Sequence, residues 1–351
     1  MSKVTTIISD LRSFFSENDK NRAINAVMSV MECINIRSSQ IGTEKKENCK
    51  FTNVQVLSLL MLFPFFVVRN AYQYSGSSLS RLFSCEKDMF YRFMNDGNVK
   101  WRKLLYAMNL QLLRKISRST EASHDKPVCL IIDDTDAPKS GRKSELIGKV
   151  FSHILHKTIL GYKCMTLLYT DGLSQLFLDF SIHGEEGRKP DKKQGLTDKQ
   201  LSERFSADYT DQCVEERIKE YTMKKTEKAI EMVKFAIKRG VRFDYLLVDS
   251  WFTCADFVRL ITSRHIKCHL LGMIKLGKTK YHTQWGDLKA DQIIKRLHKE
   301  GQVKHNRTLK CSYCTIDVKF AGTTVRLFFS KRGKNGQWNG LLTTDLSLCF
   351  L

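Results

Sequence analysis

Two short apolar runs end in acids: CLIIDDT at residues 129–135 and YLLVDS at residues 245–250. Neither alternates polar with apolar. Each therefore reads as a strand buried on both faces, the pattern of the middle of a parallel or mixed sheet. Such a strand delivers its first polar side chains at its carboxyl end. Between the two runs, residues 158–169 and 173–182 are β-rich and are joined by the turn tripeptide Thr170-Asp171-Gly172, which predicts a hairpin built onto the first strand. Residues 214–239 follow as an amphipathic helix with Ile218, Tyr221, Ala229, Met232, Val233 and Ala236 on one side, stopped by Gly240. After Asp249 come a helix at 255–263 and a strand at 269–274, another strand-helix-strand unit. Strands at 310–320 and 323–330 pair around Ala321-Gly322, and a further one starts at Gly340. The expected architecture from residue 127 to 351 is a mixed-sheet α/β core with a β-rich insertion at about 276–338.

Residues 3–116 lack this signal. Apolar residues recur there at three and four, as in Ile24, Val27, Met28 and Met31, which is helical spacing. A Gly/Ser break at 75–78 precedes two short segments, 79–84 and 88–94, with the proportions of a helix-turn-helix. Lys87 and Arg92, with Phe90 and Tyr91 between them, and then Lys100, Trp101, Arg102 and Lys103 form a basic and aromatic mixture suited to gripping a DNA backbone. The bland reading of the same residues is a helical bundle with a solvated basic face. Residues 1–116 are thus expected to be an all-helical DNA-binding region, separated from the core by the polar linker 117–126. The most apolar run, VQVLSLLMLFPFFVV at 54–68, is shorter than the roughly 20 residues that span a bilayer and contains Pro64. It reads as a buried helix, so no membrane is expected as a partner.

Lys and Arg number 58 against 37 Asp and Glu, an excess of 21 positive charges in 351 residues. Such an excess attracts polyanions through long-range field, and DNA is the first to test. Part of it lies at 184–212, a polar stretch too long for an ordinary connection, where Arg188, Lys189, Lys192, Lys193, Lys199 and Arg204 could track phosphates beside the acids. A solvated mobile loop is the alternative. The 11 cysteines are odd in number and scattered, which fits free thiols in a reducing, cytoplasmic setting. Asp10 and Arg12 interrupt what would be the apolar part of a signal peptide.

If the two acid-tipped strands are neighbours, their carboxylates meet. Hard oxygen ligands converging at one sheet edge suit Mg²⁺ or Mn²⁺, and a pair of such ions can activate a nucleophile and stabilise the leaving oxygen in phosphodiester displacement. The plain alternative is that Asp249 caps the following turn or helix. Asp133 and Asp134 also compete, because adjacent strand residues face opposite sides, and the sequence leaves that choice open.

Three other motifs draw attention. Residues 272–279, GMIKLGKT, fit the phosphate-loop spacing G-x4-G-K-T after an apolar strand, but bulky Met, Ile and Leu stand where backbone amides should wrap a phosphate. Cys311 and Cys314 have zinc-site spacing without a second pair, and they read as strand-packing residues. His153 and His156 are an isolated pair and read as structural or surface residues.

The Asp134-Thr135 strand, the hairpin after it, LLVDSWF at 246–252 and LLTTD at 341–345 together resemble the DDE transposases of the IS4 type. KDMFYRFMNDGNVKWRKLL at 87–105 is similar to their end-binding region. The resemblance implies an RNase H-like core in which two Asp and a late Glu hold two Mg²⁺ ions and cut and join DNA ends. It also implies action as a multimer on paired transposon ends. By position before Thr135, Asp134 matches the first acid and Asp249 the second. The family's Tyr-x2-Arg-x3-Glu-x6-Lys pattern does not occur, and the only Glu after Asp249 is Glu300, in a polar LHKEG context. The expectation is a truncated transposase with weak or no strand transfer, or else a non-catalytic DNA-binding remnant. A P-loop NTPase using residues 272–279 is the third reading.

Overall fold

The computed structural model describes residues 29–32, 34–43, 49–119, 126–140, 147–184, 218–221, 223–263, 266–333 and 335–349. The chain divides into two compact units, the first of Met1–Ser123 with Ser202–Lys219 and the second of His124–Leu201 with Glu220–Leu351.

The first unit holds helices α1 (Ser38–Ile41), α2 (Asn53–Leu62), α3 (Ser78–Leu82), α4 (Lys87–Met94) and α5 (Trp101–Ser119), with 3-10 turns at Phe63–Phe66 and Ala71–Gly76. α2 starts at a capping box, in which the Gln55 N–H donates to the Thr52 hydroxyl while the Gln55 side chain accepts from the Thr52 N–H. The apolar run continues past α2, but Pro64 removes a helical donor and the chain tightens into the first 3-10 turn. Phe63 of this turn packs in the core. Phe63 lies 5.0 Å from Phe90, and Phe90 lies 4.7 Å from Tyr74, centroid to centroid. Among the described residues no helix is long and apolar enough to cross a membrane. The α3–α4 pair occupies the two segments expected to form a helix-turn-helix.

The second unit is built on a 12-stranded sheet. Its centre is β1 (Cys129–Pro138), which pairs parallel with β5 (Tyr245–Val248), and β5 pairs parallel with β6 (His269–Ile274). On the other edge of β1 lies antiparallel β3 (Lys157–Thr170), whose residues 163–170 carry β4 (Gln175–His183) on the edge opposite β1. The order β4-β3-β1-β5-β6 is an antiparallel meander joined to parallel strands, an RNase H-like core. The hairpin turn follows from Asp171, whose Oδ1 accepts from the N–H groups of Leu173 and Ser174, and from Gly172 at φ 84°.

A short strand β2 (Gly148–Ser152), not anticipated from its five residues, pairs with the start of β3. The stretch expected as one helix over 214–239 is helical at 218–221 and again as α6 (Lys225–Lys238), with Lys224 in an extended conformation between them; residues 214–217 and 222 lie outside the described residues. Gly240, at φ 83°, ends it as foreseen. α6 buries Ala229, Met232, Val233 and Ala236, the stripe read from the sequence. Helix α7 (Ala255–Ile261) links β5 to β6. Beyond β6 the sheet continues through β7 (Lys280–Thr283), β8 (Gly286–Lys289), β9 (Lys304–Asn306), β10 (Cys311–Phe320), β11 (Thr323–Arg332) and β12 (Trp338–Thr343), with β12 seated beside β6. This insertion is not purely β: helix α8 (Ala290–Lys299) buries Ala290, Ile293, Ile294 and Leu297 within it.

Candidate acid site at the ends of the central strands

β1 and β5 run side by side in register, Leu130 against Leu246 and Ile132 against Val248. Asp133 and Asp249 are the next residues on each strand. Alternation puts Leu130, Ile132, Asp134 and Asp136 on one face, and Cys129, Ile131, Asp133 and Thr135 on the other. Burial agrees: Leu130 and Ile132 are fully buried, whereas Asp133 and Thr135 are exposed. Leu246 and Val248 are buried in the same way, so Asp249 shares its face with Asp133.

The two faces differ in electrostatics. Although Asp133 is exposed overall, partial desolvation raises its carboxyl above the usual carboxylate range, and the negative charges of Asp134 and Asp249 push it further, against a hydrogen bond accepted from the Asp134 N–H. Asp249 accepts from the N–H groups of Trp251 at 2.9 Å and Phe252 at 3.1 Å, so it does shape the turn after β5. Among the described residues no basic side chain pairs with Asp133 or Asp249.

On the opposite face every acid has a lysine. Lys225, at the start of α6, donates to Asp134, and Lys163 of β3 donates to Asp136. Burial opposes the charge on Asp136. The hydrogen bonds from Lys163 and Ser152, with the charges of Lys163 and Lys225, more than offset it and hold this carboxyl below the usual range. Helix α7 covers the same face one strand further on. A Cβ at Gly272 of β6 would stand 2.3 Å from the Thr253 hydroxyl oxygen, so only glycine lets the segment after β5 pack there.

The close approach at Gly272 also bears on the phosphate-loop spacing. Gly272 is a strand residue beneath Thr253, and residues 275–279 lead into β7 rather than into a helix whose N-terminus could hold a phosphate. Cys311 and Cys314 are three apart on β10, hence on opposite faces, and cannot grip one ion together. His153 and His156 stand in the turn between β2 and β3. Glu300 caps the end of α8, where the Arg296 Nε–H donates to it at 3.2 Å. Asp345, in the LLTTD run, accepts hydrogen bonds from the Tyr245 hydroxyl at the start of β5 and from Ser347. These outweigh burial and hold its carboxyl down at about 2.

In the first unit Arg92, Lys100 and Lys103 are exposed, and Arg102 is half-buried. Lys87 is half-buried with its ammonium 4.8 Å from the centre of the Tyr72 ring. Arg188, Lys189, Lys192, Lys193, Lys199 and Arg204 lie outside the described residues. The sequence reading passed over Lys225, Lys163 and Asp136, whose pairing depends on register. It also passed over Trp251, although an aromatic two residues past a strand-end acid was a visible signal.

The class of molecule is now defined: an RNase H-like sheet with strand-end carboxylates on adjacent parallel strands. The family model for DDE superfamily endonucleases matches residues 78–270, more than half of the chain, and the chain belongs to that family. Among solved structures it is similar to a piggyBac transposase synaptic complex with hairpin DNA, at 12% identity and a TM-score of 0.43 over 92% of this chain. The chain spans 59% of that protein's length. No curated protein sequence matches it.

Among the described residues no group of three or more His, Cys, Asp or Glu is arranged to hold a metal. The donor chemistry at Asp133 and Asp249 nevertheless fits a hard divalent cation: two carboxylates, adjacent, one destabilised by burial and like charge, and neither neutralised by a lysine.

Proposed function

We propose that this chain acts on DNA as a transposase-type endonuclease, with Asp133 and Asp249 as the acids that hold Mg²⁺ or Mn²⁺. The observation that carries the reading is their position on one face, one residue past the last paired positions of adjacent parallel strands. Asp134, which the IS4 resemblance selects by its place before Thr135, is given a supporting part: with Lys225 it holds the start of α6 against β1. When bound, the divalent cation supplies charge neutralisation at the scissile phosphate and a more acidic nucleophile. The chain's own residues orient it. Asp249 is fixed by the two turn N–H groups that it accepts, and Asp133 accepts the Asp134 N–H on one oxygen, with no lysine paired to it among the described residues. Lys87, Arg92, Lys100, Arg102 and Lys103, with the basic residues of 188–204, are assigned to the DNA backbone, whose phosphates account for most sequence-independent affinity. Assembly as a multimer on paired transposon ends belongs to the same reading.

With two acids at the site and no third among the described residues, we expect DNA to be bound well and cut slowly. The test is nicking of supercoiled plasmid in Mn²⁺ by the full chain and by an Asp249→Asn variant. Slow nicking that drops at least tenfold in the variant is the expected result, while Glu300→Gln leaves it unchanged. Nicking that persists in Asp249→Asn contradicts the assignment. Binding without nicking favours a second reading, a DNA-binding protein without catalysis, for which the charge excess of 21 is the supporting observation.

A further inference from the structure

We propose that Trp251 is a stacking platform for an unpaired nucleobase of a DNA strand entering the acid site, with Lys275 receiving a flanking phosphate. The proposal rests on the DNA-processing reading and adds a subsite to it. Trp251 lies two residues past Asp249 and is 51% exposed, although it is the residue type with most to gain from burial. Its backbone N–H donates to the Asp249 carboxylate at 2.9 Å, which ties the backbone that carries the indole to the candidate ligand.

Its surroundings are cationic. The Lys275 ammonium stands 4.5 Å from the ring centre and that of Lys225 stands 6.0 Å away. The His153 ring, from the β2–β3 turn, is centred 6.1 Å away at an interplanar angle of 47°. The same turn presents Ile154 at 79% and Leu155 at 55% exposure. A cation over an exposed indole is a contact of about 0.5–1 kcal/mol, too little to explain why a tryptophan is kept in water. An aromatic face with positive charge at its rim is what a single strand requires. Bases stack on the ring for about 1–3 kcal/mol each, whatever their identity, while Lys275 follows the backbone. A continuous duplex keeps its base faces covered by its own stacking, so the platform selects strand ends or melted DNA.

The experiment measures affinities of the full chain for a short oligothymidylate, for the same strand with abasic residues, and for a blunt duplex. It compares wild type with Trp251→Ala and Trp251→Phe. Trp251→Ala is expected to weaken oligothymidylate binding about 5- to 150-fold, the stacking range expressed as a ratio of dissociation constants. The abasic strand should lose much less, and Trp251→Phe should restore most of the difference. Lys275→Ala should lower the salt dependence for all three probes by about one phosphate contact. Quenching of indole fluorescence by oligothymidylate should diminish in Trp251→Phe, a readout that a scaffolding tryptophan would not give. Equal losses on all three probes, or none on oligothymidylate, overturn the stacking role while leaving the DNA reading intact. A wild-type chain that binds no DNA removes the parent reading and this one with it.

Discussion

The two faces of the central sheet make opposite use of the same side chain. On one, Asp134 and Asp136 are each closed by a lysine, Lys225 and Lys163. On the other, Asp133 and Asp249 have each other's charge and no lysine, and the carboxyl of Asp133 is raised. Asp133 and Asp134 are neighbours in the chain, so composition does not separate them; alternation along a single strand does. An acid closed by a lysine contributes to folding. An acid left beside another acid is a cost that a bound cation removes. On this contrast rests the proposal that the uncompensated face is the working one.

The largest test of the contrast is on the closed face. The Lys163 and Asp136 side chains are 6% and 13% exposed, so Lys163→Met strands a carboxylate where water scarcely reaches. About 3–5 kcal/mol of unfolding free energy should be lost, read by chemical denaturation. A loss under 1 kcal/mol would show that the pair does not close this face. Lys225→Met should cost less, about 1–2 kcal/mol, because the Asp134 side chain is 25% exposed and partly rehydrates. The smallest effect is on the open face and has the opposite sign. The raised Asp133 carboxyl favours its protonated form in the fold, so its stabilising contribution is full below the ordinary carboxylate value near 4 and is lost as pH rises through the raised value. Asp133→Asn should remove part of that decline and leave the metal-free chain more stable near neutral pH than wild type. A variant less stable than wild type at pH 7 would mean that Asp133 is structural.

Much of the core could be read from residues alone. The runs ending at Ile132 and Val248 are apolar without alternation because one face is buried and the other half-buried upstream of the acids, and the hairpin announces itself through Asp171 and Gly172. β2 escaped because five residues with one exposed lysine carry too little periodicity. α8 lay inside a stretch read as β-rich, although LHKEG at residues 297–301 reads as a polar helix end, where the helix does stop. The site was half legible. Strand-end acids show in sequence, whereas the choice between Asp133 and Asp134 depends on register with β5, and the Lys225 contact bridges 91 residues. Pairings of that kind are products of packing. Trp251 sat in plain view, and only its exposure and its two lysines give it meaning.

The most direct measurement is thermal unfolding with and without Mn²⁺ for wild type, Asp133→Asn, Asp134→Asn and Asp249→Asn. At a hundredfold excess over its dissociation constant a bound ion adds about 2.7 kcal/mol of stability. That upward shift should appear in wild type, persist in Asp134→Asn, and vanish in both Asp133→Asn and Asp249→Asn. A shift that survives in Asp133→Asn and disappears in Asp134→Asn would move the metal to the other face of the sheet and contradict the account.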